Sequence, residues 1–200
     1  MWSGLHKHQR FGVLFISLFG VLMTFHAQAI EEPGFTVERA WEEEQIEIRA
    51  YAPRIMAVTA PQDGEDNGFR VLAGYIFGGN AQEQKIAMTA PVQVSMEGEP
   101  EMAFMMPGEY ALEDLPEPDD NRVAFREAPA YTAAVIRFSG WASSEKADTS
   151  WQQLERFLIA EGIEIIGEPT LNQYNPPWTL PFLRRNEIIV PVDMPTTALN

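Results

Sequence analysis

KIAMTAPVQV, residues 85–94, is the stretch that decides the fold. Every second residue is apolar (Ile86, Met88, Ala90, Val92, Val94), and Lys85, Thr89, Pro91 and Gln93 fall between them. A period of two marks a half-buried strand, with one face on a core. Proline has no N–H to give a ladder, so Pro91 puts this strand at its own end or along a sheet edge. The sheet is therefore antiparallel and one-sided, and the apolar alternation faces a shared core.

Upstream, residues 45–51 alternate Ile46, Ile48 and Ala50 against Glu47, Arg49 and Tyr51. Ala52-Pro53 breaks that strand, and residues 55–60 form another, closed by Pro61. Asp66 or Asn67 can cap a helix over 66–77 that stops at Gly78-Gly79. Downstream, residues 101–106 read as a strand and 107–121 as an acidic, proline-rich linker without a period. The order then repeats. Residues 123–127 form a strand, Ala128-Pro129 a break and 131–139 a longer strand. A helix over 147–161 carries Trp151, Leu154 and Leu158 on one stripe and ends at Gly162. Strands follow at 163–166 or 170–174, and at 187–192. Two Ala-Pro breaks and two strand-plus-proline endings, IAMTAPV and EIIVPV, repeat with that order. The expected fold class is α+β: duplicated, pseudo-symmetric β-β-α-β halves form a distorted antiparallel barrel flanked by two helices.

The first 29 residues read differently. Lys7 and Arg10 precede an apolar run over 11–25, and Ala27-Gln28-Ala29 follows. This is the pattern of a secretory signal cleaved after Ala29, with an uncleaved anchor as the rival reading. Residues 30–200 then form one domain with its core over about 36–193, expected to be exported, periplasmic or secreted, and monomeric. Loss of Lys7 and Arg10 leaves 12 of the 14 basic residues against 29 acidic ones, a net charge of −17. Such a chain repels nucleic acid and anionic membrane surfaces. It has no cysteine, and His6, His8 and His26 all lie in the leader. That excludes the common zinc sites, a Ser-His-Asp triad and a thiolate nucleophile. The acids at 63–68 do not make an EF-hand, because the required Glu falls on Gly74.

IEIRAYAP (46–53), FRVLAGYIFGGN (69–80), KIAMTAPV (85–92) and YNPPWTLPFLRRNEI (174–188) together resemble the SOUL haem-binding family, in order and in spacing. The fold is also similar to the gyrase-inhibitor-like ligand-binding domains. The resemblance implies tetrapyrrole binding in an apolar groove beside the first helix, with the loop before the last strand contributing. One branch of the family is proposed to ligate iron through a His in the motif read here as IEIRAY, where this chain has Ala50. Another carries a propionate-binding Lys at the position of Gly74. Neither contact carries over.

The residues themselves supply candidates. Phe69, Leu72, Ala73 and Ile76 form one stripe of the first helix, and Val71 with Tyr75 a second. The second stripe points either to a groove or to a helix buried on most sides. Tyr174, Trp178, Phe182 and Leu183 precede Arg184 and Arg185, an aromatic surface beside two guanidinium groups that can fork onto carboxylates. The arginines can equally pair with the chain's own acids. Tyr75 and Tyr174 are the candidate iron ligands, ahead of Met56 and Met88, and binding without an axial ligand is favoured over both. The expected function is an exported, non-catalytic carrier or buffer of haem or another tetrapyrrole. Two alternatives stand beside it: hydrolysis of a small electrophile using Glu65, Asp66, Glu109 or Glu187 as base, and an interaction module without a small ligand.

Overall fold

The computed structural model of the chain describes residues 30–60 and 68–194. The leader and its cleavage point, the helix cap at Asp66 or Asn67, and Glu65 lie outside the described residues. The elements in order are β1 (Phe35–Trp41), β2 (Ile46–Tyr51), β3 (Arg54–Thr59), α1 (Gly68–Ile76), β4 (Val92–Ser95), β5 (Met102–Met105), β6 (Ala124–Ala128), β7 (Tyr131–Phe138), α2 (Ser144–Glu161), β8 (Glu164–Ile165), β9 (Thr170–Gln173) and β10 (Asn186–Asp193).

The strands make one antiparallel sheet in the order β1-β2-β7-β10-β9-β4-β5-β3-β6, with β8 paired to the end of β10. With β1 set aside, this order has a two-fold symmetry centred between β9 and β4. It matches β2 to β6, β7 to β3, β10 to β5 and β9 to β4. The repeats are thus β2-β3-α1-β4-β5 and β6-β7-α2-β9-β10, each one strand longer than the β-β-α-β unit read from the sequence. They exchange strands. β2 of the first repeat lies against β7 of the second, and β6 of the second against β3 of the first. The two Ala-Pro breaks are the crossover points where the chain leaves one half-sheet for the other. The sheet is α+β in class and its ring is left open, since β1 and β6 end it.

Each helix covers one half-sheet. Leu154 and Leu158 of α2 are fully buried against Ile46, Ile48, Ile136, Ile188 and Val190. Leu72 and Ile76 of α1 pack with Ala57, Ile86 and Phe104. α2 begins earlier than its apolar stripe indicates, because Ser143 caps it by accepting the Lys146 N–H, and Gly162 closes it at φ +67°.

Three expectations are corrected. Within 85–94 only the part after Pro91 joins the ladder. Burial alternates only over 85–88, since Thr89 and Ala90 are both buried; Ile86 N–H donates to Ile76 O of α1 and Thr89 Oγ1 to Met105 O, so the segment is an extended strap under the helix end. Both strands offered as alternatives near 163–174 exist. β1 is a strand that the alternation does not reveal. Its register shifts between Val37 and Arg39, so Phe35 reaches Arg49 and Tyr51 while Trp41 meets Phe157 on the α2 side. A bulge of this kind breaks the period of two.

The face away from the helices is organised around a buried ion pair. Arg49 of β2 reaches over Ala133 and Val135 of β7 to Glu187 of β10, with Nη1–Oε2 at 2.9 Å and Nη2–Oε1 at 3.3 Å. Glu47 accepts from Arg49 Nε at 2.6 Å, and Tyr174 Oη donates to Glu187 Oε2 at 2.7 Å. Burial opposes the Arg49 charge, but the hydrogen bonds and attraction of Glu187 outweigh it, and its pKa is pushed up. Burial pushes the Tyr51 phenol up against the pull of Arg49, and pushes Tyr174 up with help from the Glu187 charge.

Breaking this pair leaves an uncompensated buried charge, so Arg49→Met is expected to lose about 3–5 kcal/mol in urea unfolding. The Arg49→Met/Glu187→Leu double variant should recover most of that; a loss as large as the summed singles refutes the account. Leu158→Ala should cost about 2–5 kcal/mol by the same measurement. Because the folded Tyr51 and Tyr174 pKa values lie above the unfolded value near 10, their stabilisation is complete below about pH 10 and is lost as pH rises beyond it. Alkaline titration at 295 nm should show phenolate appearing together with unfolding, and ionisation of all the tyrosines before unfolding would contradict this.

Candidate functional site

The connection between β9 and β10 is a proline-stiffened loop over 174–185. Its backbone is tied down at both ends: Tyr174 N–H donates to Arg185 O, and Gly140 N–H to Pro181 O. A single turn of 3₁₀ helix at Pro181–Leu183 turns its apolar side chains outward. Trp178 is 84 % exposed, Phe182 71 % and Leu183 62 %. Leu180 and the neighbouring Trp141 extend the same apolar surface. Exposed apolar side chains clustered in this way mark a surface built to be covered.

The two arginines behave differently. Arg185 lies 3.6 Å from the Tyr174 ring centroid and pairs with Glu32 at 2.5 Å, so one of the pair does serve the chain's own acids. Arg184 stacks on Trp141 at 4.0 Å and donates to the carbonyls of Thr179 and Pro177. It has no carboxylate partner among the described residues. Its positive charge stands beside the exposed aromatics in a strongly acidic chain. Trp141 and Leu180 complete the surface, and neither is among the candidates that the sequence offers. Trp141 sits more than thirty residues upstream of the loop in the chain, and the Gly140–Pro181 and Asn186–Gly140 hydrogen bonds and the Arg184 stack hold it there.

The expected α1 residues are elsewhere. Leu72, Ala73, Tyr75 and Ile76 are buried in the core beneath α1, and only Phe69 is substantially exposed, its ring edge-on to Phe104 at 5.4 Å. The second stripe is covered by the 107–121 segment, whose Leu115 and Pro116 are buried while its acids point to solvent. That segment is a cover on α1 as well as a connection. The cleft that does lie beside α1, about 360 Å³, is walled by Arg70, Val71, Gly74, Tyr75, Gly79, Asp119, Asp120 and Arg122 and is polar. Hydrogen bonds from Arg122 hold Asp120 down at about 2. The buried helix residues and the loop residues are therefore not brought into that cleft together.

The candidate iron ligands are engaged within the fold. Tyr75 Oη donates to Pro116 O at 3.1 Å, and burial pushes its pKa up to about 12, with a further contribution from Tyr110. Tyr174 Oη is bound to Glu187. Each phenol keeps its proton well above neutrality, which works against tyrosinate ligation. Met56 is buried and Met88 half-buried. Among the described residues no group of three or more acidic, His or Cys side chains is arranged to hold a metal ion. Of the candidate bases, Glu187 is buried but fully engaged by Arg49 and Tyr174, and Glu109 is exposed. A carboxylate base needs an apolar pocket without such partners to keep it protonatable and in reach of substrate.

The human protein "Heme-binding protein 2" is 28 % identical over 151 residues, covering 68 % of this chain and 73 % of that protein. The mouse protein of the same name is 27 % identical over 187 residues, covering 84 % and 89 %. Among solved structures, the C-terminal domain of EcmrR superposes with a TM-score of 0.57 at 13 % identity, covering 76 % of this chain and 98 % of that one. A hydrolase from Listeria innocua gives 0.54 at 10 % identity, covering 75 % and 92 %. At such identities the structural likeness speaks for the fold alone. The model of the SOUL heme-binding protein family matches residues 30–191, which carry both repeats and the aromatic loop, and the chain belongs to that family.

Proposed function

We propose that the protein is an exported tetrapyrrole carrier or buffer that does no chemistry on its ligand. In this reading haem lies on the exposed surface of the 174–185 loop. Its macrocycle meets Trp178, Phe182 and Leu183, and a propionate is paired by Arg184. The observation that carries it is the coincidence of that uncovered aromatic surface with an arginine that has no carboxylate partner among the described residues. The names of the human and mouse relatives support the ligand class. The leader-like composition of residues 1–29 supports export, and no described helix is long and apolar enough to cross a membrane. The absence of His and Cys from residues 30–200 and the engagement of Glu187 favour binding over catalysis.

With Tyr75 and Tyr174 hydrogen-bonded inside the fold, the surface reads the macrocycle and the propionates rather than the iron. Ferric haem and metal-free protoporphyrin should therefore bind residues 30–200 with affinities within about threefold of each other, followed by the Soret band and by tryptophan quenching. Absence of binding by either below about 10 μM, or −6.8 kcal/mol, refutes the proposal.

Phe182→Ala and Trp178→Ala should each weaken haem binding by about tenfold, or 1.4 kcal/mol. Tyr75→Phe should leave it unchanged. Loss of binding in Tyr75→Phe, with the loop variants unaffected, would move the site to α1.

A further inference from the structure

The surface formed by the 174–185 loop and Trp141 is set apart from the rest of the molecule by its charge. The chain holds 29 acidic residues, yet residues 174–185 and 138–144 include none. The charges beside the aromatics are positive. Arg184 stacks on Trp141, and Lys146 lies 5.8 Å from the Phe138 ring and donates from Nζ to Ser139 O. Glu32, at the base of the loop, is spent on Arg185. A strongly acidic protein is held off acidic surfaces by its own field. Here the exposed aromatics stand in two stretches of chain that carry no negative charge.

The side chains are also graded in kind. Trp178, Leu180, Phe182 and Leu183 fall within six residues, on a loop stiffened by Pro176, Pro177 and Pro181 and tied at its ends. A loop that is already rigid loses little freedom when it is covered. Phenylalanine and leucine suit hydrocarbon, while indole, apolar with one N–H, suits the level of lipid headgroups. The path of the chain points the same way. Glu32 pairs with Arg185, so the chain enters the fold at the base of the loop. The apolar run over 11–25 ends seven residues before Glu32, a span of at most about 25 Å. A twelve-residue loop that doubles back rises at most about 20 Å from its ends. A bilayer entered by that run is therefore within reach of the loop tip, whether or not the run is later removed.

We infer that this surface docks on a lipid bilayer, with Phe182 and Leu183 among the acyl chains and Trp141 and Trp178 at the headgroups. The bilayer it fits is electrically neutral, because the net charge of the rest of the molecule opposes anionic lipid. The contact is shallow and apolar. It uses side chains that the tetrapyrrole reading also uses, but it does not depend on that reading, because the ligand-free protein docks.

Flotation of ligand-free residues 30–200, the span that carries every described element, with phosphatidylcholine vesicles tests it. The protein should float with the vesicles equally at low and high salt, since apolar insertion is not screened. Replacing part of the phosphatidylcholine by phosphatidylglycerol should weaken the association. Phe182→Ala and Trp178→Ala should each lower partitioning about tenfold. Phe77→Ala and Ile159→Ala, at exposed apolar side chains elsewhere, should leave it unchanged. Absence of flotation, its loss at high salt, stronger association with phosphatidylglycerol, or full partitioning in Phe182→Ala each overturns the assignment. So does a dimer in sedimentation that Phe182→Ala dissociates, which would give the surface to a second copy of the chain. No haem is present in these measurements, so their failure and that of the haem titration are read separately.

Discussion

Arg49 and Glu187 meet in the middle of the helix-free face, and the strands that carry them come from different repeats. Taking two charges out of water costs more than their attraction returns unless the remaining donors and acceptors are also filled. Here they are filled by Glu47, Tyr51 and Tyr174, and the Phe35 ring covers the guanidinium at 4.3 Å. The site works only if β2 lies on β7 in one register and β10 on the other side of β7 in another. Small residues at Ala133 and Val135 leave the passage between them. A register slip of one residue would turn Arg49 into the apolar layer beneath α2. The ion pair therefore specifies the exchanged arrangement of strands at least as much as it stabilises it.

That arrangement places the surfaces on which function depends. β9 and β4 meet at the symmetry centre, and the proline-rich loop between β9 and β10 is held along Gly140 and Trp141. Arg185 turns back onto Tyr174 and the N-terminal Glu32, which leaves Arg184 as the charge presented beside the aromatics. The crossovers at Ala52-Pro53 and Pro129-Ala130 bring Arg54 and Tyr131 together from strands that are far apart in the sheet order.

Much of this was legible in the residues. The repeated Ala-Pro breaks mark real crossovers, the helices sit on the stripes their spacing defines, and the aromatic loop is the exposed surface its composition implies. The limits have physical causes. The bulge in β1 hides a strand from any period-two reading. The strap at 85–90 alternates in sequence like a strand but pairs only by an isolated bridge from Thr89 to Glu31, because apolar spacing and ladder bonds are separate properties. Whether the Val71–Tyr75 stripe opens a groove depends on Leu115 and Pro116, which sit in a segment whose composition reads only as acidic loop. Which of two adjacent arginines is neutralised depends on Glu32, over 150 positions away. Arg54 carries no local signal, since Tyr51 and Tyr131, the rings its guanidinium meets, come from two other strands.

The exchange of strands also has a consequence for how the chain reaches its final form. Ile46 pairs with Ile136, and Val58 with Ala124, so neither repeat contains the partners of its own first strand. The first repeat, emerging from the ribosome alone, holds two half-built sheet edges and cannot complete its hydrogen bonding until the second has been synthesised. Most contacts that matter are distant in sequence, which makes folding slow and all-or-none relative to a chain of local hairpins. Such a chain stays threadable until its last strand is available, because β10 is the strand that contributes Glu187 and completes the half-sheet on which α2 rests.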